Sequence, residues 1–320
     1  MVDEETKNLS QTTCPLCQAK DFKIIESIRV ADLAALYEKM LKIPILGEFS
    51  GCNNLFFCLC GKCDLRFFYP LITGSEIFYE ELQKQPRYYL DEKYEYEFAR
   101  PYITEGKKVL EIGAGKGAFA KVISSNCYVG LEFSNKAIET AKAAGVSVIK
   151  QAVEEHAEVN REKYDVVCAF QVLEHISGVK EFVEASVTCL KNGGLLIYSI
   201  PAEDSYVSLL PNAILNMPPH HMTHWSDASL KNLTRYFPLE LERIEHEPLF
   251  ELHKSGFSTA LASETVNHLL GRKYHLLETS LRGRAIQKIT SLLSKFYLLG
   301  MRDPRILPKG HSVIAVYKKQ

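Results

Sequence analysis

Apolar positions change their period along the chain, and each change marks an element. Leu33, Leu36, Tyr37, Met40 and Leu41 recur at helical spacing, and Glu76 to Leu82 starts a second helix. Arg87-Tyr88-Tyr89, Tyr94, Tyr96 and Phe98 follow as an aromatic stretch that either roofs a pocket or packs a helix on a sheet. From Lys108 to Ile200 short apolar runs alternate with helical ones, with strands expected at Val109–Ile112, Tyr128–Glu132, Val146–Ile149, Tyr164–Phe170 and Leu195–Ile200. That rhythm predicts a parallel sheet covered by helices on both faces. Leu239–His246 reads as a sixth strand, and Ser312–Tyr317 as a last strand antiparallel beside it. Between them, residues 252–307 form an insertion with a helical stripe at Ile286, Ile289, Leu292, Leu293 and Phe296. Pro211 to Trp225 breaks the rhythm, because it is too rich in proline and polar residues for a sheet element.

The first strand of the alternation runs into Gly113-Ala114-Gly115-Lys116-Gly117, and the pattern expects a helix to open there. Glycines permit positive φ and close ligand approach, and a helix start supplies free N–H groups, so the segment reads as a nucleotide-type cofactor site. The spelling alone is weak, since Gly113, Gly115 and Ala118 also satisfy a dinucleotide fingerprint. Glu132, ending the second strand, suits the ribose hydroxyls of NAD or of S-adenosylmethionine. Glu111 stands where a dehydrogenase usually has an apolar residue, and it is placed to engage a cofactor amino group.

Two further signals separate these cases: Gln171-Val172-Leu173-Glu174-His175 after the fourth strand, and the turn Leu190-Lys191-Asn192-Gly193-Gly194 before the fifth. Together with the glycine turn and the strand-two acid, this order resembles the class I S-adenosylmethionine-dependent methyltransferases over about residues 100–250 and the last strand. The resemblance implies an α/β fold: a doubly wound, seven-stranded Rossmann-like sheet. It also implies that Glu111, Gly113, Gly115 and Gly117 line the methionine moiety and that Glu132 holds the ribose. Gln151 or Ala152 would lie by the adenine and Gln171 at the strand-four end; Gln151 departs from the family, which often has Asp there.

The chain has 320 residues, 46% hydrophobic and 24% charged, enough for one large domain with an appendage. Met1 to Lys7 is polar and acidic, unlike a signal peptide, and no run approaches the roughly 18 apolar residues of a membrane span. A cytoplasmic location is therefore expected. A net charge of −1 gives no global attraction to nucleic acid, although residues 251–310 carry ten Lys or Arg against four Asp or Glu. That local excess is either a solvated helical face or a contact for an anionic acceptor or a membrane surface.

Nine cysteines without an export signal argue for thiols or metal rather than disulfides, and six fall before residue 64. Cys14-Pro15-Leu16-Cys17 and Cys60-Gly61-Lys62-Cys63 are two CxxC knuckles, the spacing that holds one tetrahedral Zn²⁺. The 42 residues between them carry the first helical stripe, so a helix is inserted in a zinc ribbon. Four thiolates leave no open position, and the metal is expected to be structural. Cys52 and Cys58 read as core or free thiols, and Cys127, Cys168 and Cys189 as core. The family resemblance extends to this ribbon: many small-molecule members, sugar C-methyltransferases included, are similar in carrying one that ends in CxxC-GL-x-F-x-x-P. Here Asp64 replaces the glycine. The expected organisation is a ribbon over residues 1–75 and a methyltransferase domain over 76–320, with 252–307 inserted before the last strand.

Methyl transfer needs an aligned nucleophile and often a base, for which histidine is suited near neutral pH. Pro218-Pro219-His220-His221 resembles a segment of small-molecule members where substrate enters, which makes His221 the first candidate base and His220 the second. His175 is a third candidate, or else makes a local structural bond; Glu174 could orient a histidine or cap the following helix. The acceptor is expected to be a small or lipid-linked molecule such as a sugar nucleotide, glycolipid or natural-product intermediate. An RNA methyltransferase that grips nucleic acid with its ribbon, and a non-catalytic binding module on the cofactor fold, are the alternatives.

Overall fold

A computed structural model describes residues 11–85, 93–123, 125, 127–300 and 309–320. Met1 to Lys7, Arg87-Tyr88-Tyr89 and the last residues of the insertion, 301–307, lie outside the described residues. The two CxxC turns fold by backbone pairing: Cys14 N–H donates to Ala19 O (2.9 Å), and Gly61 N–H to Asp21 O (2.8 Å). Between them run strand β1 (Phe22–Arg29), helix α1 (Val30–Leu41) and strand β2 (Asn54–Cys60), followed by β3 (Arg66–Tyr69). β1 and β3 flank β2 antiparallel, with Phe22 opposite Cys60 and Phe56 opposite Tyr69. Helix α1 buries Leu33, Leu36 and Tyr37 against Phe49, Phe57 and Phe68; Met40, at the end of the same stripe, is exposed. Asp64 has φ +64°, a conformation glycine adopts without strain and Asp tolerates, and its carboxylate accepts from Ser226 Oγ.

The chain continues through α2 (Glu76–Gln83) and α3 (Tyr94–Ala99) into the main sheet. Its strands are β4 (Lys108–Ile112), β5 (Cys127–Leu131), β6 (Val148–Ile149), β7 (Tyr164–Phe170), β8 (Leu190–Pro201), β10 (Leu239–Pro248) and β11 (Lys309–Lys319). The spatial order is β10-β11-β8-β7-β4-β5-β6, parallel from β8 to β6, with β11 antiparallel between β8 and β10. This is the expected doubly wound seven-stranded sheet. The centre of β7, Val166 to Phe170, is buried, as a parallel strand covered on both faces must be. Helices α4 (Asn135–Ala143), α5 (Val153–Val159) and α6 (Val179–Cys189) form the crossovers, with Phe182 and Val183 in the same core as Val167 and Leu196. Tyr96 packs on Phe119 and Phe170, with ring centroids 5.2 Å away in each case.

Three expectations fail. The glycine turn opens only a 3₁₀ turn at Phe119–Lys121, because Gly113, Gly115 and Gly117 all take positive φ and the next strand begins at Cys127. Cys127, expected in the core, is exposed at that strand's start. The proline-rich loop does contribute to a sheet: Thr223–His224 forms β9, opposite Phe67 and Arg66 on the open edge of β3. The prolines end before this point, so Thr223 and His224 are able to pair, and the loop is stitched to the N-terminal sheet.

Helix α7 (Asp227–Asn232) follows β9, and the insertion folds as α8 (Lys254–Leu269) and α9 (Leu281–Gly300). α8 buries Ala260, Ala262 and Val266, and Tyr297 of α9 meets Thr265 of α8 at 2.9 Å. On α9 the stripe residues Ile289, Leu292 and Phe296 remain exposed. Among the described residues no helix is long and apolar enough to cross a membrane.

Candidate active site

The glycine turn sits at the carboxyl end of β4, between β7 and β5, where the sheet order reverses and α/β folds bind ligands. Gly113 has φ +73°, and an added Cβ would stand 2.4 Å from Val172 Cγ2, so both conformation and space require glycine. Its N–H and that of Ala114 donate to Leu131 O (2.8 and 2.9 Å), tying the turn to β5. Glu132, one residue beyond β5, accepts from Gly115 N–H (2.9 Å) through Oε2 and from Phe133 and Ser134 N–H (2.7 and 2.8 Å) through Oε1. An ionised carboxylate so held is an acceptor suited to a pair of hydroxyls.

A cavity of about 2180 Å³ opens over this turn and is lined by Gly113, Gly115, Glu132, Gln151, Ala152 and Gln171. Ligand pockets usually measure about 300–1,000 Å³, so this one has room for two molecules. Gln151 Oε1 pairs with His156 Nδ1 (2.9 Å). Gln171, at φ +57°, donates from Nε2 to Ser199 Oγ and Ser312 Oγ (3.2 Å each), linking β7, β8 and β11. Glu111 and Gly117 depart from expectation, for neither lines the cavity. Gly117 is buried, its place set by Val146, whose Cγ1 would be 2.8 Å from an added Cβ. Glu111 points into the core and accepts from Tyr128 OH; burial pushes its carboxyl up to about 8 against that bond.

The three candidate bases converge on the same cavity. His175 follows β7, while His220 and His221 lie just before β9, separated from it by Met222, and the rings lie 4.3–4.8 Å apart between centroids. His175 Nδ1 donates to His220 O (2.6 Å) and His220 Nδ1 to Leu215 O (2.7 Å). His221 Nδ1 lies 3.0 Å from Asn216 Oδ1; with the amide assigned this way, Nδ1–H donates and the lone pair is on Nε2. Burial holds His175 down to about 4 and, with the neighbouring imidazoles, holds His220 and His221 well below the ordinary value, so all three are neutral at pH 7.

Glu174 is 1% exposed, and neither carboxylate oxygen has a hydrogen-bond partner. Its Oε1 stands 3.9 Å from His175 Nε2 and 4.0 Å from His221 Nε2, and burial pushes it up to about 8.

Sequence reasoning missed Tyr79, whose hydroxyl is 3.4 Å from His175 Nδ1, since its helical position resembles any packing residue. It also missed Glu247, His253 and His311, which line the same cavity. No spacing signal joins residues separated by the insertion. Away from the cavity, the four predicted ligands Cys14, Cys17, Cys60 and Cys63 converge with their Sγ atoms within 4.8 Å of one another. The Cys14–Cys63 and Cys17–Cys60 separations are 3.5 Å. Tetrahedral Zn–S bonds of about 2.3 Å would set the sulfurs about 3.8 Å apart, so the donor set fits. Cys58 is buried with Sγ directed at Phe56 O, and Cys52 Sγ at Asn54 O.

Strand order, glycine turn and strand-two carboxylate together define a class I S-adenosylmethionine-dependent methyltransferase. The chain belongs to the methyltransferase domain family, which matches residues 82–243. It is similar to the ubiquinone biosynthesis O-methyltransferases of Salmonella newport and Salmonella typhimurium, each 33% identical over 112 residues. Those matches cover 31% of this chain and 46% of the relative, so the chain spans under half the length of either. Among solved structures, an S-adenosylmethionine-dependent methyltransferase from Archaeoglobus fulgidus is 19% identical with a TM-score of 0.45, over 70% of this chain and 92% of that one.

Proposed function

We propose that this methyltransferase acts on a small or lipid-linked acceptor, with His221 as general base and His220 as its alternate. The observation that carries the reading is the placement of the histidine cluster and the glycine turn on one cavity large enough for cofactor and acceptor together. The relatives, ubiquinone biosynthesis O-methyltransferases, are in keeping with a small acceptor.

S-adenosylmethionine, when bound, supplies an electrophilic methyl group on a sulfonium. Glu132 would accept the ribose hydroxyls, Gly113 and Gly115 would allow close approach of the ligand to the backbone, and Gln151 and Ala152 would border the adenine. Gln171 holds the end of β7 against β8 and β11. Asn216 fixes His221 so that Nε2 receives the acceptor's proton, and His175 holds the loop through His220 O as a positioning residue. The N-terminal unit, residues 1–75, is read as a structural zinc ribbon bound by Cys14, Cys17, Cys60 and Cys63. Through β9 it would stiffen the segment that carries His220 and His221. The basic insertion, residues 252–307, is assigned to contact with an anionic acceptor or membrane surface.

His221→Ala tests the base. Methyl transfer to a panel of sugar-nucleotide, glycolipid and phenolic acceptors should fall on the order of 10²-fold or more, with cofactor affinity kept. Unchanged turnover, or an equal loss of cofactor affinity, would remove His221 from this role.

A further inference from the structure

We infer that Glu247, His253 and His311 form a second metal site, one for a divalent transition ion that presents open coordination positions to the acceptor side of the cavity. Glu247 lies in the bulged end of β10, where the register to β11 shifts between His246 and Pro248. Such a bulge re-aims a side chain. The carboxylate crosses over Gly310, where an added Cβ would stand 2.4 Å from Glu247 Cγ. Glu247 is 3% exposed, and its Oε1 is fixed by His311 N–H (2.9 Å) and Ser312 N–H (3.2 Å).

Two imidazoles converge on that same oxygen. His311 Nδ1 is 2.6 Å from Oε1 and His253 Nδ1 is 3.8 Å from it, with the rings 4.4 Å apart. Both Nδ1 atoms are buried; His311 Nδ1 is ion-paired with Oε1, whereas His253 Nδ1 has no hydrogen-bond partner. A proton between His311 and Glu247 still leaves the buried His253 Nδ1 without a partner, and all three candidate ligand atoms lie within 4.8 Å of one another. Metal–ligand bonds of about 2.0–2.2 Å set donor atoms about 3.3 Å apart in a tetrahedral site, so an ion here would open the 2.6 Å His311 Nδ1–Oε1 contact and draw His253 Nδ1 in from 3.8 Å.

Two imidazoles and one carboxylate suit Zn²⁺, Mn²⁺, Fe²⁺ or Co²⁺ better than Ca²⁺ or Mg²⁺. Three protein ligands leave positions for water or for oxygen atoms of an acceptor. All three residues line the cavity beside Ser312, whose Oγ is 3.2 Å from Gln171 Nε2 at the end of β7. An ion here would therefore bind and orient an oxygen-rich acceptor, such as a diol or phosphate, near the cofactor.

Full-length protein carrying its ribbon zinc should take up one further equivalent of Mn²⁺, read by electron paramagnetic resonance, or of Co²⁺, read by d–d absorption without sulfur charge-transfer bands. His253→Ala and His311→Ala should each weaken that ion by about tenfold or more. Glu247→Gln should weaken it likewise while still accepting both backbone N–H groups, so that loss is separable from misfolding. Cys14→Ser and His220→Ala should leave it in place. No uptake at millimolar ion, uptake retained in the His253→Ala/His311→Ala double variant, or uptake lost in His220→Ala would each overturn the assignment. Ion uptake is read without cofactor or acceptor, so its failure leaves the methyl-transfer reading standing.

Discussion

Replacing Glu174 by Gln should make the protein more stable than wild type at alkaline pH, and the gain should be absent in acid. Burial without a hydrogen-bond partner raises this carboxyl from 4.5 to about 8. The folded form thus keeps a proton that the unfolded chain has already released above pH 4.5. Stability from this group is fully present below about 4.5 and is lost as pH rises through about 8. At about 1.36 kcal/mol per tenfold change in proton affinity, a carboxyl raised from 4.5 to about 8 sets a ceiling of about 5 kcal/mol, and the expected loss is about 2–4 kcal/mol. Glutamine keeps the shape and cannot ionise, so its unfolding free energy should lack that slope. Trp225, the chain's single tryptophan and fully buried, reports unfolding by fluorescence in urea. Comparing the two proteins at pH 5, 7 and 9 cancels Glu111, which titrates alike in both. Parallel curves would refute the reasoning, for they would mean that Glu174 is ionised throughout and paired with the His175 or His221 imidazolium, 3.9 and 4.0 Å away.

Elemental analysis of the purified chain should give one zinc ion held by the ribbon; Cys14→Ser should release it and Cys52→Ser should not, and the reverse result would overturn the ligand set. Charge reversal at Arg284, Lys288 and Lys295 on α9 should weaken cosedimentation with anionic vesicles, and so should raised salt, because exposed charges are screened over about 10 Å at 0.1 M. Indifference to both would make the basic face ordinary solvated surface.

What was legible in the sequence followed from burial. β7 is buried on both faces past Asp165, so Val166–Phe170 reads as one continuous apolar run, and the strand's expected bounds, Tyr164–Phe170, match the structure. β9 was illegible because a two-residue strand has no period, and its partner β3 lies some 150 residues earlier in the chain. The 3₁₀ turn after the glycines escaped for another reason: the apolar pattern of Ala118 to Ile123 is helical, but the positive φ angles at Gly113, Gly115 and Gly117 take up the chain that a full helix would need. At the site, His175, His220 and His221 were each flagged by a local motif, and the fold sets them together. Glu111 was flagged by the glycine motif yet turns to Tyr128, since a side chain's direction at the end of a buried strand depends on neighbours from other strands. Glu247 and His311 meet only through the pairing of β10 with β11.

The central claim is that the glycine turn and Glu132 hold S-adenosylmethionine. Calorimetry with S-adenosylhomocysteine on wild type, Gly115→Val and Glu132→Ala tests it most directly. Wild type should bind and should ignore NAD, while both variants should lose binding yet retain their cooperative unfolding. Tight binding of NAD with no heat from S-adenosylhomocysteine, or undiminished binding in both variants, would contradict it.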